Sequence, residues 1–148
     1  VTLAVVLSYR TRRPWAPAPA TLRAWARLAT GRCDGELGIR VVGSAESRAL
    51  NERYRGKPGP TNVLSFPPSP ERGPHRRLLG DVVVCAPSVA REAREQRKAL
   101  RAHWAHIVIH GILHLLGFDH ERAADARRME DRERVLLARL GFADPYGA

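Results

Sequence analysis

Cysteine is nearly missing from this sequence: Cys33 and Cys85 lie far apart and form no Cys-x-x-Cys pair. That argues against a disulfide scaffold and against a cysteine-type zinc site, and each thiol is expected to pack as a small apolar group in a reducing compartment. Long apolar runs are missing too, and none approaches the roughly 20 residues that span a bilayer. Val1–Ser8 is apolar, but it is too short for a signal h-region and carries no basic leader, so it reads as a first strand. A cytoplasmic protein with no membrane partner is expected. Lysine is scarce, with only Lys57 and Lys98 among 25 Lys+Arg. Heavy arginine use beside abundant Ala, Gly and Pro is what a GC-rich coding sequence produces. Such a bias does not account for only 15 Asp+Glu, and the formal charge of +10 favours a polyanionic partner, RNA or the ribosome.

What is present fits one soluble domain. The chain has 148 residues, 44% hydrophobic and 27% charged, with no internal repeat. Thr2–Ser8 alternates and is β-branched, Leu37–Val42 and Val63–Phe66 read as further strands, and Gly80–Cys85 carries the apolar run of a buried strand. Helices are expected over Thr21–Ala29, with Thr21 as cap, and from a Ser44 cap to Tyr54. Three more are expected from Pro87 or Ser88 to Leu100, over His103–Leu116 and over Ala123–Leu140. Pro67–Pro74, four prolines in eight residues, cannot be regular structure. The order predicts a single α/β (α+β) domain over 1–148, with a mixed sheet of about four strands packed by about five helices. Strand direction is not legible at this level.

The chemistry is concentrated in His110–His120. His110 and His114 are four apart on a helix, so their side chains share one face and can converge on a metal. Gly117 tolerates the left-handed turn that ends a helix, which lets the chain return His120 to the same point. Three imidazoles leave a coordination position open, as in a hydrolytic rather than a structural zinc site. Packing gives no reason to put these histidines among Ile, Val and Leu. The spacing is that of the metzincin proteases, but where they carry glutamate this chain has Gly111, so their general base is missing. A neutral His₃ set also leaves the metal's charge uncompensated, which suits an anionic phosphodiester better than a peptide. Imidazoles would also accept nickel, copper or iron.

Several separated blocks extend the pattern: Tyr54-Arg55-Gly56-Lys57, Pro60–Pro67, Leu79-Gly80-Asp81, Arg91-Glu92-Ala93, His103–His106 and Asp144-Pro145-Tyr146. With His110–His120 they resemble the YbeY family of bacterial rRNA-maturation endoribonucleases over most of the chain. The resemblance implies a zincin-like fold, one Zn2+ on His110, His114 and His120, and single-strand-specific cleavage of RNA. It further implies 3′-end maturation of 16S rRNA, ribosome quality control, and the small subunit and its assembly factors as partners. The family's basic residue after the tyrosine falls on Arg55. One departure is Lys57-Pro58, where the family commonly has an acidic residue after the lysine.

Arg55 is accordingly the candidate for catalysis and substrate binding, since a guanidinium grips phosphate oxygens and offsets developing charge. Lys57 is a second substrate-binding candidate. Asp81 is expected to cap backbone groups, the alternative being to orient a histidine. Asn62 and Ser65 read as turn or strand-edge residues first. Trp104 and His106 are assigned to packing, and His75, in the Pro-rich loop, is a poor metal candidate. Arg91, Arg94, Arg97 and Lys98 are expected to pair with Glu92 and Glu95 along their helix. Arg72, Arg76 and Arg77 are the better RNA contacts. Two other readings stand beside the endoribonuclease: a zinc hydrolase of peptides or small molecules, and a ribosome-assembly binding factor with weak nuclease activity.

Overall fold

In the computed structural model, residues 2–31, 33–69 and 77–147 are described. Arg72, His75 and Arg76 lie outside them. The first strand, β1 (Leu3–Tyr9), turns Leu3 and Val5 inward, as its alternation predicts. Helix α1 (Pro19–Thr30) buries Leu22, Trp25, Ala26 and Ala29 along one face. It begins two residues before Thr21, because a proline with preset φ suits the first turn and Ala18 takes the cap position. Thr21 therefore lies inside the helix and caps nothing. After β2 (Gly35–Val42) comes α2 (Ser44–Arg55), whose cap is Gly43 and not Ser44, and Gly56 closes it with φ 66°.

The remaining elements are β3 (Val63–Phe66), β4 (Leu78–Cys85), α3 (Ala86–Glu95), α4 (Leu100–Leu115) and α5 (Ala123–Arg139). The helix expected to reach Leu100 stops at Glu95. Arg97 takes φ 54°, and Lys98 donates to Ala93 O at 2.9 Å. This is a left-handed helix stop without the usual glycine, which composition does not announce. The next helix then starts three residues earlier than His103.

Over the described residues the result is the expected α+β domain, with a four-stranded mixed sheet and five helices. Strand order is β1-β2-β4-β3, with β1, β2 and β4 parallel and β3 antiparallel to β4 at the edge. Consecutive valines on β4 serve both faces. Val82 and Val84 join the main core, and Val83 joins Val42, Leu64 and Cys85 on the other face. Cys85 is buried as expected and Cys33 is only half-buried; both are free thiols.

Helix α4 passes through the main core, with Trp104, Ala105, Val108, Ile109, Ile112 and Leu113 buried. A buried side chain such as Ile109 or Leu113 typically costs about 2–5 kcal/mol when cut to alanine. That packing fixes the helix from which the histidines project.

Candidate metal centre

Four histidines follow one another along α4 at spacings of three and four: His103, His106, His110 and His114. Successive ring centroids are 6.2, 6.3 and 4.9 Å apart. The helix then stops. Gly117 adopts φ 100° and donates to His114 O at 3.1 Å, while Phe118 donates to Leu113 O at 3.0 Å and packs against the core. This reversal carries His120 back, its ring 5.0 Å from that of His114 and 5.8 Å from that of His110. The ligand nitrogens of His110, His114 and His120 all lie within 4.8 Å of one another.

The donor set fits a divalent transition metal. Burial lowers the pKa of His114 below the ordinary imidazole range, helped by His110 and His120, and so favours the neutral form that ligates a cation. His110 is held from behind: its Nδ1 lies 2.8 Å from Oε2 of Glu133, a side chain on α5 that is wholly buried. An imidazole that donates Nδ1–H to a carboxylate presents Nε2 to a metal. Glu133 also accepts hydrogen bonds from the Tyr146 hydroxyl and from His106 Nε2, the latter at 3.4 Å. Burial alone would raise its pKa, but these donors hold it at about 2, so the buried group is a carboxylate. His106, His110 and Glu133 form a second cluster of ligand-type atoms, but those atoms are engaged in hydrogen bonds with one another.

Three further contacts set the frame. Glu92, expected to pair along its own helix, instead binds across elements. It meets His103 Nε2 at 2.9 Å and accepts from Asn62 Nδ2 at 3.1 and 3.2 Å. Along that helix, Arg91–Glu95 is an ion pair at 3.9 Å. Ser65 Oγ donates to Gly111 O at 2.8 Å, tying β3 to the histidine helix. At the C-terminal end, Arg134 grips Asp144 with 3.1 Å contacts, Asp144 accepts from Tyr146 N, and Lys98 holds Pro145 O at 2.9 Å. This clamp keeps Tyr146 on Glu133.

Gly111 has a structural cause. A Cβ there would lie 2.8 Å from Val82 Cγ1 and 2.9 Å from Val63 Cγ2. The helix sits too close to β3 and β4 for any side chain, so the glutamate of the protease pattern has no room.

The histidine triad opens into a groove of about 680 Å³, lined by Tyr54, Arg55, residues 61–67, Leu115 and the triad itself. Arg55 is thus brought to the site from the last position of α2. Lys57, beyond the Gly56 turn, is exposed and does not line the groove. Asp81 faces away: it is exposed on the opposite side of the sheet, its Oδ1 against the position where a Gly38 Cβ would be, and it reaches no histidine. Arg77 is exposed away from the groove, and Asp119 accepts from Glu121 N in a local turn. Trp104 packs as expected. His106 does more than pack, since it donates to Glu133.

The residues missed by the sequence reading are Glu133 and the roles of Tyr146 and Glu92. Glu133 left one trace. It occupies the buried stripe Met129, Glu133, Leu136 and Leu137 of an otherwise amphipathic helix, where an acid needs a partner.

Comparison with known proteins agrees with this geometry. The family model described as "Endoribonuclease YbeY" matches residues 20–141. A protein named Endoribonuclease YbeY from Stenotrophomonas maltophilia (strain R551-3) is 53% identical over 152 residues, covering 99% of this chain and 94% of that protein. One of the same name from Methylococcus capsulatus (Bath) is 53% identical over 130 residues, covering 88% and 87%. Among solved structures, the solution structure of TM1509 from Thermotoga maritima shares the fold, with TM-score 0.61 at 23% identity, covering 97% of this chain and 99% of that one.

Proposed function

The chain belongs to the YbeY endoribonuclease family, and from that premise we propose that it is a zinc-dependent, single-strand-specific endoribonuclease. Its work is processing of rRNA, namely 3′-end maturation of 16S rRNA and ribosome quality control in the cytoplasm. The small ribosomal subunit and its assembly factors are its partners, and residues 1–148 act as one metal-dependent endoribonuclease domain. The observation that carries the reading is the histidine triad, backed by Glu133 and open to a groove that contains Arg55.

His110, His114 and His120 would hold one Zn2+. When bound, the ion supplies Lewis-acid polarisation of a phosphoryl oxygen and activation of water. Glu133 keeps the His110 imidazole in one tautomer and orientation, so that Nε2 faces the groove. Arg55 grips the phosphate and offsets charge that builds on its oxygens during cleavage. Lys57 adds positive charge beside it. Among the described residues that line the groove none is a carboxylate, which suits a polyanion.

The test is cleavage of single-stranded and duplex RNA by the purified protein, with and without a chelator. Single strands are expected to be cut, duplexes spared, and chelation to stop cleavage until zinc is restored. Unabated cleavage of RNA by thoroughly chelated protein would overturn the reading.

A further inference from the structure

β3 is the last strand of the sheet, so its outer side has no strand partner. The ladder with β4 decides which backbone groups face outward. Cys85 donates to Asn62 O at 2.9 Å, and the register continues Val63↔Val84, Leu64↔Val83, Ser65↔Val82 and Phe66↔Asp81. Hydrogen-bonded and non-hydrogen-bonded pairs alternate in an antiparallel ladder. Asn62, Leu64 and Phe66 therefore spend their backbone groups on β4, and Val63 and Ser65 turn theirs out. Among the described residues, no turn or side chain bonds these outward groups.

The outward groups line the histidine groove, because residues 61–67 and the triad share its wall. Two outward N–H groups two residues apart stand about 6–7 Å from each other. That is close to the separation of successive phosphates along an extended single strand.

We propose that the outer edge of β3 is the track for the RNA backbone beside the scissile bond, a step that rests on the endoribonuclease reading above. The N–H groups of Val63 and Ser65 donate to phosphate oxygens, and their carbonyls accept from ribose 2′-hydroxyls. Alternating donors and acceptors ask for a partner with both, and RNA offers phosphate acceptors with 2′-hydroxyl donors, whereas DNA lacks the second. Contacts of this kind carry no base information, so the track tolerates sequence. It also requires an extended backbone, which a duplex does not present. A peptide strand could pair with the same edge. The formal charge of +10, Arg55 on the wall and the absence of any carboxylate from the described lining residues favour the polyanion.

Val63→Pro deletes one outward N–H that the ladder does not use, at a strand edge where proline is tolerated. Val63→Ala is its control, because the Val63 side chain packs close to Gly111. Zinc content, melting temperature and the affinity of a fluorescein-labelled single-stranded RNA are measured for both, with kcat and KM taken separately. Val63→Pro is expected to keep its zinc and to weaken RNA binding about five- to tenfold beyond Val63→Ala, with the loss in KM. Replacing riboses next to the cleaved bond by 2′-deoxyriboses is expected to weaken binding to the wild type by a similar factor.

Unchanged RNA affinity in folded, zinc-loaded Val63→Pro would overturn the proposal. So would competition by an unstructured peptide that Val63→Pro abolishes, because the edge would then belong to a protein partner. If Val63→Pro does not fold, replacing Val63 by its α-hydroxy acid removes the same N–H and is read the same way. A wild type that cuts no RNA would sink the functional reading itself, whereas cleavage indifferent to the edge sinks only this inference.

Discussion

The two halves of the α4 histidine row make opposite use of one side chain. Toward the N-terminal end, buried His103 faces Glu92 and half-buried His106 faces Glu133, so both rings meet carboxylates. Toward the C-terminal end, His114 and His120 face each other and His110 across an open groove, with no carboxylate among its described lining residues. His110 belongs to both halves, its Nδ1 side on Glu133 and its ring beside the triad. Where an acid lies opposite, the imidazole is locked as a structural donor. Where none does, the rings converge and leave a cation as the partner that satisfies them. The carboxylate positions, more than the histidines, divide packing from chemistry.

Removing the carboxylate that joins the halves should have the larger effect. Glu133→Ala removes the buried carboxylate that His106, His110 and Tyr146 all meet, and is expected to cost on the order of 3 kcal/mol or more. Zinc affinity is expected to fall about 10–100-fold as His110 loses its orientation. Glu133→Gln, which keeps one acceptor oxygen, should fall between alanine and wild type in both respects. Chemical denaturation and competitive zinc titration measure the two effects. Full zinc affinity in Glu133→Ala would erase the proposed link between the halves.

A smaller effect is expected at Glu92, which belongs to the buried half alone. Burial raises its pKa, but hydrogen bonds from His103 and Asn62 outweigh that and bring it below the ordinary glutamate value of about 4.5. A group whose pKa is lower folded than unfolded stabilises the fold above its unfolded value and loses that contribution as pH falls through the folded one. The stability gap between wild type and Glu92→Gln, about 1.5–3 kcal/mol at neutral pH, should therefore shrink as pH drops below about 4.5. Melting of the metal-free proteins from pH 7 to pH 3 measures it. A gap that widens with acid would contradict the pairing.

How much of this the sequence carried differs between the same two halves. The open half was legible, because His110, His114 and the Gly117 turn to His120 form one local pattern whose period and reversal follow from helix geometry. The buried half was not, because Glu133 is 23 residues from His110 and only the packing of α5 on α4 brings them together. Glu92 was assigned to its own helix because spacing shows partners along a helix and is blind to partners across elements. The fold class followed from element order, but edge position and antiparallel pairing of β3 did not, since a four-residue strand carries no sign of direction. That Asp81 would not reach a histidine was illegible for the same reason: which face of the sheet it takes depends on the register with β2 and β3.

The most direct test of the central claim is His114→Ala, assayed for bound zinc and for cleavage of single-stranded RNA in the same preparation. His114 touches the open half only, so the fold should persist while zinc and cleavage are lost together. Cleavage retained at the wild-type rate by a folded, zinc-free His114→Ala protein would contradict the account.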